Sequence, residues 1–493
     1  MDDLFCYDGS EGSTHMTDRI QTVITSDGEV DDMNSFIRAL YYSNEMDIRG
    51  IVLSASMYHY AGNMKKGIAP CRWTGTQWMH RFLDDYRKIQ NNLKSHDRRY
   101  PSADELHSLI HVGNISSCGD MEEETDGSLF LTDLFLQKHD QPVYVQTWGG
   151  TNTTARALKT IEERYGNTDQ WQNVYQHVCD HIILYIILDQ DVTYSTYISR
   201  KWPDIRIIQD TSNFWHFAYA WKRNDHALTE TLQSSWCQKY MMHKGPLMDH
   251  YALMGDGRMI DGELYEEQRG TDDYLKEHPE YQRYDFISEG DTPSFLYLID
   301  RGLRSIEHPS YGGWGSRFTE DKHGIYRNTA LDYNPYTKQY EAQYSLSRWF
   351  TDIQNDFAAR IEWGLTDYDT AVSHYPAFSM DQPVDLTVFP GQTLMLSCTT
   401  TDHVSWFHYF ECDVRKYRAP LQHKKIMAGD LQLDEIAEGI KDDIPLYEAD
   451  THEISILIPE DLQVGDTIHI ITEITSDDPI PLKRYARTIL TVT

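Results

Sequence analysis

The sequence predicts a doubly wound α/β domain with a mostly parallel sheet, followed by an all-β sandwich of the immunoglobulin-like type. Two observations lead to this prediction. Through most of the chain, short β-branched or apolar runs alternate with segments of helical periodicity. Beyond Pro376, short runs of alternating polarity separated by turn residues replace them. We place an N-terminal tail at residues 1–18, the α/β domain at 19–375 and the sandwich at 376–493.

The first strand and helix frame an acidic loop. The run at residues 22–25 is β-branched throughout and predicts a strand, and the helix after it is indicated by apolar side chains at helical spacing, at Met33, Phe36, Ile37, Leu40 and Tyr41. Between the two come four carboxylates, at Asp27, Glu29, Asp31 and Asp32. In open α/β sheets, ligands bind at the carboxyl ends of strands, which is where this loop lies.

Two interpretations of these acids remain open at this stage. Several carboxylates on one loop can converge on a hard divalent cation such as calcium. A helix N-terminus also stabilises carboxylates without any ligand, and Asp-Asp pairs recur in the chain, for example at Asp84 and Asp272. The residues alone therefore predict either a metal or catalytic site or a helix cap.

The remaining elements follow the same alternation. Residues 181–188 form the most apolar run and predict a central strand covered on both faces. Further strands of the α/β domain are predicted at 47–53, 109–112, 142–147 and 205–208, and helices at 77–93, 127–138, 153–165, 214–244 and 345–363. In the sandwich, strands are predicted at 384–388, 393–397 and 467–474.

Composition restricts the partners. The 493 residues include 44 Lys and Arg against 77 Asp and Glu, and the formal charge of −33 argues against nucleic acid or an anionic membrane as partner. No apolar run is long enough to span a membrane, and the N-terminus has no signal-peptide pattern. We expect a cytoplasmic protein, or a secreted one if a leader was removed. Seven irregularly spaced cysteines favour neither a zinc site nor a disulfide framework.

Four motifs carry a family resemblance. They are the acidic loop with its helix and the following YYSNEMDIRGIV, then YVQTWGGTNTTARAL from residue 144, SEGDTPSFLYLI from residue 288 and HPSYGGWG from residue 308. In this order they resemble the nucleoside-hydrolase superfamily. More closely, they are similar to nucleoside-hydrolase-like proteins that carry a C-terminal Ig-like sandwich, some of which are described as cellulose-binding.

The resemblance implies an α/β fold of nucleoside-hydrolase type and a calcium-dependent (Ca²⁺) hydrolase of a glycosidic bond, with an N-ribosyl or an O- or N-furanosyl substrate. By the match of Asp27-Gly28-Glu29-Val30-Asp31-Asp32 to the family signature, Asp27 and Asp31 would be catalytic. Asp27 would activate the water that attacks the anomeric carbon, and Asp31 would contact ring hydroxyls. The implied metal ligands are Asp27, Asp32, the backbone carbonyl of Thr147, and Asp291.

The chain departs from the family where many members have a histidine that protonates the leaving group, because Gly290 stands there. The substrate contacts that we expect are Asn152, His59, Glu289 and Trp314. The expected partner is a small sugar or nucleoside, including a sugar derived from a polysaccharide, and the family leads us to expect a homo-oligomer. The alternative function is a non-catalytic carbohydrate-binding protein that uses the same pocket and the C-terminal sandwich.

Overall fold

The computed structural model describes residues 19–415 and 444–493, so the predicted tail at 1–18 lies outside the described residues. The α/β domain is built on one eight-stranded sheet with the order β3-β2-β1-β4-β5-β6-β8-β7. Its strands run parallel except at one edge, where β7 pairs antiparallel with β8. They are β1 (Ile20–Ser26), β2 (Met46–Leu53), β3 (Ile110–Val112), β4 (Val143–Thr147), β5 (Ile182–Ile187), β6 (Arg206–Asp210), β7 (Thr319–Glu320) and β8 (Ile325–Arg327).

Helices cover both faces of this sheet. They are α1 (Val30–Tyr41), α2 (Trp78–His96), α3 (Ala103–Ser108), α4 (Asp126–Leu136), α5 (Asn152–Tyr165), α6 (Trp171–His181), α7 (Ser199–Lys201), α8 (Ser234–Tyr240), α9 (Asp272–Glu277), α10 (Thr292–Leu296), α11 (Tyr344–Ser347) and α12 (Phe350–Leu365). No helix in the two described ranges is both long and apolar enough to cross a membrane.

Successive residues of β1 belong to different hydrophobic cores, because successive side chains of a strand point to opposite faces of the sheet. Val23 belongs to a core shared with α4, α5 and α6, whereas Ile24 belongs to a core shared with α1, α2 and α12. All six residues of β5 are buried, which confirms the central strand expected from the apolar run at 181–188. The predicted doubly wound α/β fold is therefore confirmed.

Two helix predictions are wrong in detail. The segment 214–244, expected to be one helix, contains short 3-10 turns and the helix α8. Asp225 shows one reason, since its side chain accepts a hydrogen bond from the amide of Ala227 and starts a new turn there. The predicted helix at 345–363 is divided into α11 and α12.

The C-terminal part is a sandwich of two four-stranded sheets, ordered β11-β13-β16-β15 and β12-β18-β17-β14. Apolar residues of both sheets share one core, among them Leu396, Trp406, Ile456 and Ile470. The strands are β11 (Phe378–Met380), β12 (Asp385–Val388), β13 (Thr393–Thr400), β14 (His403–His408), β15 (Leu446–Tyr447), β16 (Glu453–Leu457), β17 (Thr467–Thr475) and β18 (Lys483–Val492). A separate two-stranded hairpin, β9 (Asp332–Asn334) and β10 (Gln339–Glu341), precedes α11 in the chain.

Candidate metal centre

Three aspartates from two distant parts of the chain meet at the carboxyl edge of the sheet. Asp31 and Asp32 lie in the first turn of α1, and Asp291 directly precedes α10. One carboxylate oxygen from each lies within 4.8 Å of the other two, in an arrangement that can hold a metal ion. All three are buried. The acidic loop and the motif around residue 291 therefore form one site, although about 260 residues separate them in the sequence.

Asp27 completes this acid cluster from the end of β1. Its backbone amide donates to Asp32 Oδ1 over 3.2 Å, and the Ser26 hydroxyl donates to the same oxygen over 2.6 Å. Gly149, in the loop after β4, makes room for Asp27, because a Cβ atom at residue 149 would lie 2.9 Å from Asp27 Cγ. The ends of two adjacent parallel strands thus position the Asp27 carboxylate.

Burial and mutual repulsion make the acid cluster costly in the absence of a cation. The pKa values of Asp31, Asp32 and Asp291 are all raised well above the ordinary aspartate range, first by burial and then by the neighbouring carboxylates. The salt bridges that the structure describes include no Lys or Arg partner for these three or for Asp27. Buried charges normally require a partner or a metal ion.

Several polar atoms at the site also lack partners. Asp27 Oδ2, Asp291 Oδ2 and Thr147 Oγ1 are buried without a hydrogen-bond partner among the described residues. Thr147 ends β4 and pairs with Thr25 of β1, next to the acid cluster. Unpaired carboxylate oxygens beside a strand end fit the oxygen ligands that Ca²⁺ prefers. The residues present therefore fit the calcium that the resemblance implies.

His59 is the predicted substrate contact that does lie at the acid cluster. Its Nδ1 atom is 4.0 Å from Asp27 Oδ2 and 3.5 Å from Glu29 Oε2. Glu29 also accepts a hydrogen bond of 2.9 Å from the hydroxyl of Tyr219. No sequence pattern points to Tyr219 as a site residue, because Tyr219 lies in the segment 214–244, which was predicted to be one regular helix.

Gly290 leaves no space for the side chain that many nucleoside hydrolases carry at this position. A Cβ atom at residue 290 would lie 2.7 Å from Asp31 Oδ2 and 3.2 Å from Phe214 Cδ2. A histidine would therefore displace either the carboxylate or the aromatic ring. A reaction that needs an acid for its leaving group at this site would have to take it from another residue.

Three of the expected substrate contacts point elsewhere. Glu289 is fully buried and binds Arg38, Tyr251 and Thr292, so its carboxylate is already engaged. The side chain of Asn152 donates to the carbonyl oxygens of Asn114 and Asp120 and holds that loop. Trp314 is buried, and the guanidinium of Arg301 lies 5.6 Å from its ring centroid. We therefore replace these three assignments with structural roles.

Asp191, in the loop that follows the central strand β5, also has a structural role. It accepts hydrogen bonds from the amides of Asn152 and Thr193 and from the Thr193 hydroxyl. These bonds fix the start of α5 against the loop that follows β5. Asp191 is consequently an anchor beside the acid cluster.

A parallel α/β sheet with buried aspartates at the end of its first strand agrees with the resemblance that the four motifs carry to nucleoside-hydrolase-like proteins. A family model described as "Cellulose-binding Sde182, nucleoside hydrolase-like domain" matches residues 21–318, and "Cellulose-binding protein Sde0182, C-terminal domain" matches residues 401–492. The chain belongs to this Sde182 family. The sequence-based recognition is therefore confirmed.

Solved structures agree with this fold. A nucleoside hydrolase-related hypothetical protein from Saccharophagus degradans, described as associated with carbohydrate metabolism, is 21% identical with a TM-score of 0.68, and the match covers 97% of this chain and 100% of that one. A plant nucleoside hydrolase, the PpNRh1 enzyme, is 12% identical, and the match covers 70% of this chain and 99% of the other. Its TM-score of 0.32 is too low to support a shared fold. Curated proteins gave no match.

Proposed function

We propose that the protein is a calcium-dependent hydrolase of a glycosidic bond, with Asp27, Asp31, Asp32 and Asp291 as its centre. One observation carries the proposal: the buried carboxylates of Asp31, Asp32 and Asp291 converge at a strand end beside Asp27, and the described salt bridges pair none of the four with Lys or Arg. Helix caps need no such convergence from two distant segments. A structure that retains several uncompensated buried acids calls for a cation, because the acids otherwise cost folding free energy.

Each acid has a role in this proposal. Asp27, Asp32, Asp291 and the carbonyl of Thr147 would hold the ion. A bound calcium would offset part of the negative charge of the acid cluster and orient the sugar hydroxyls. Asp27, whose Oδ2 atom has no partner among the described residues, takes the proton from the attacking water. Asp31 reaches the ligand's hydroxyls, since it is the most exposed of these four aspartates at 9%.

The second candidate is a carbohydrate-binding protein without turnover. The packing at Gly290 favours it, because no acid side chain can occupy the position from which many nucleoside hydrolases protonate the leaving group. The family description as cellulose-binding agrees with this candidate. Both candidates use the same calcium-dependent pocket for a sugar or nucleoside, and they differ in whether the glycosidic bond breaks. The oligomeric state, the cytoplasmic location and the boundary at residue 376 stay predictions.

An activity screen separates the two candidates. Chelator-treated protein is assayed on nitrophenyl furanosides and free nucleosides, with and without added calcium, beside Asp27→Asn. We expect hydrolysis of at least one compound that requires calcium and falls at least a hundredfold in the variant, in line with the typical contribution of a general base. Full activity in Asp27→Asn would contradict the catalytic role. Calcium-dependent binding without product would establish the second candidate.

A further inference from the structure

Glu29 differs from the other acids of the site because its side chain reaches solvent. That side chain is 23% exposed, whereas that of Asp27 is 1% exposed. The Tyr219 hydroxyl holds Glu29 in place through the 2.9 Å hydrogen bond. A ligand that approaches the buried aspartates from solvent therefore meets Glu29 early.

A second polar group, the His59 imidazole, lies beside Glu29. His59 is 1% exposed, and its Nδ1 atom faces Glu29 and Asp27 without a hydrogen-bond partner among the described residues. Leaving a buried ring nitrogen unpaired costs free energy, which a ligand hydroxyl or a water can recover. Glu29, Tyr219 and His59 thus offer a carboxylate, a phenol and an imidazole to one incoming group.

An aromatic face borders these polar groups. Trp215 is 38% exposed, and its ring centroid lies 6.2 Å from that of Tyr219. The two rings are tilted by 49°, and Trp215 is tilted by 36° to Phe214, so these three do not form a parallel slot for a flat base. An apolar face beside a few polar groups is typical of a site for a small polar ligand, and it suits the hydroxyls and C–H faces of a sugar ring.

The charge of the site restricts the ligand further. Glu29 lies beside four aspartates, and the chain as a whole has a formal charge of −33. Even with one calcium bound, five carboxylates leave the entrance negative. Anionic ligands such as nucleotides or uronic-acid chains would be repelled.

We propose that Glu29, Tyr219 and His59 form the subsite for the leaving-group side of a neutral oligosaccharide. Glu29 is then a specificity-determining residue that selects hydroxylated sugar rings over nucleobases. This inference rests on the proposed function, since it concerns the same site. It adds the class of ligand and the residues that select it.

Isothermal titration tests the subsite on calcium-loaded full-length protein. The probes are cellohexaose, xylohexaose and arabinohexaose, with guanosine, inosine and a galacturonic acid oligomer for comparison. Guanosine is the strictest comparison, because its base can donate two N–H groups to one carboxylate. We expect a neutral hexaose to bind better than the nucleosides and the acidic oligomer. Glu29→Ala should weaken the binding of this hexaose about tenfold or more, as expected for the loss of hydrogen bonds to a charged group.

Matched variants separate recognition from folding. Glu122→Ala removes an exposed glutamate that pairs with Lys66 and contacts none of the aspartates of the acid cluster in the described salt bridges and hydrogen bonds, so this variant should bind like the wild type. Tyr219→Phe keeps the ring and removes only the hydroxyl, so it should weaken hexaose binding severalfold even if Glu29→Ala does not fold.

Equal hexaose affinity in wild type, Glu29→Ala and Tyr219→Phe would overturn the inference. So would tighter binding of a nucleoside than of any hexaose, or no hexaose binding at all. A calcium titration without sugar tests the metal centre separately. Normal calcium binding with a preference for nucleosides would therefore refute the inference while the proposed function stands.

Discussion

Gly290 packs directly against the Asp31 carboxylate, at a distance where a Cβ atom would come within 2.7 Å of Oδ2. The two residues belong to different motifs, and their contact joins the start of α1 to the segment before α10. The backbone at residue 290 therefore fixes the position of an acid that contributes to the candidate metal centre.

Gly290→Ala should reduce calcium affinity, because the added methyl group displaces Asp31 from Asp32 and Asp291. We expect a loss of about tenfold, or ~1.4 kcal/mol, by isothermal titration. The control is Gly67→Ala, where a Cβ atom meets no other atom within 4 Å. Unchanged affinity in Gly290→Ala would show that Asp31 does not need its present position for calcium.

Calcium should stabilise the protein more strongly as the pH rises. The raised pKa values of Asp31, Asp32 and Asp291 mean that the folded, metal-free protein keeps protons that the unfolded chain has released. This contribution to stability is complete below the ordinary aspartate value of 3.8 and is lost as the pH rises through the raised values. Calcium replaces those protons as the neutralising charge.

Thermal unfolding with calcium or with chelator, across a series of pH values, measures this effect. The increase in Tm on adding calcium should be small at acidic pH and larger at neutral pH. An increase in Tm of the same size at every pH would show that calcium does not bind at Asp31, Asp32 and Asp291.

The Arg38–Glu289 ion pair should hold α1 to the segment before α10. Both side chains are fully buried, and the guanidinium of Arg38 also lies 3.9 Å from the ring centroid of Phe357. Glu289→Gln leaves the Arg38 charge without its partner, so we expect a loss of about 3 kcal/mol in the free energy of unfolding by urea denaturation. Glu122→Gln, in an exposed pair with Lys66, should be neutral. A stable Glu289→Gln protein with weakened sugar binding would instead restore Glu289 as a substrate contact.

Glu411 should make the contact between the domains sensitive to pH. It accepts a hydrogen bond from the amide of Tyr333, and burial together with nearby Asp332 raises its pKa to about 7. Its stabilising contribution is complete below the ordinary value of 4.5 and is lost as the pH rises through about 7.

Glu411→Gln should remove this loss. Relative to the wild type, its free energy of unfolding should therefore be higher at pH 8 than at pH 5 by on the order of 2 kcal/mol. Urea denaturation at both pH values measures the difference, with the exposed Glu460→Gln as control. If Glu411→Gln follows the wild-type pH dependence, Glu411 does not titrate in this range.

Local pattern was enough to predict the sheet and the acidic loop after its first strand. The apolar run that became β5 and the helical spacing of α1 are properties of neighbouring residues, so the sequence shows them directly. Asp291 was connected to the acidic loop only through the family resemblance. The contacts of Glu289 with Arg38 and of Tyr219 with Glu29 span 251 and 190 residues, and no local pattern encodes them. Asn152 and Trp314 were assigned to the ligand for the same reason, because local pattern does not show their contacts with Asn114 and Arg301.

A high-resolution crystal structure of the protein soaked with calcium tests the central claim most directly. We predict one calcium ion held by Asp27, Asp32, Asp291 and the carbonyl of Thr147, with Asp31 beside it and ligand oxygens at about 2.3–2.6 Å. An acid cluster that stays empty at saturating calcium, with the aspartates in their present positions, would contradict the claim.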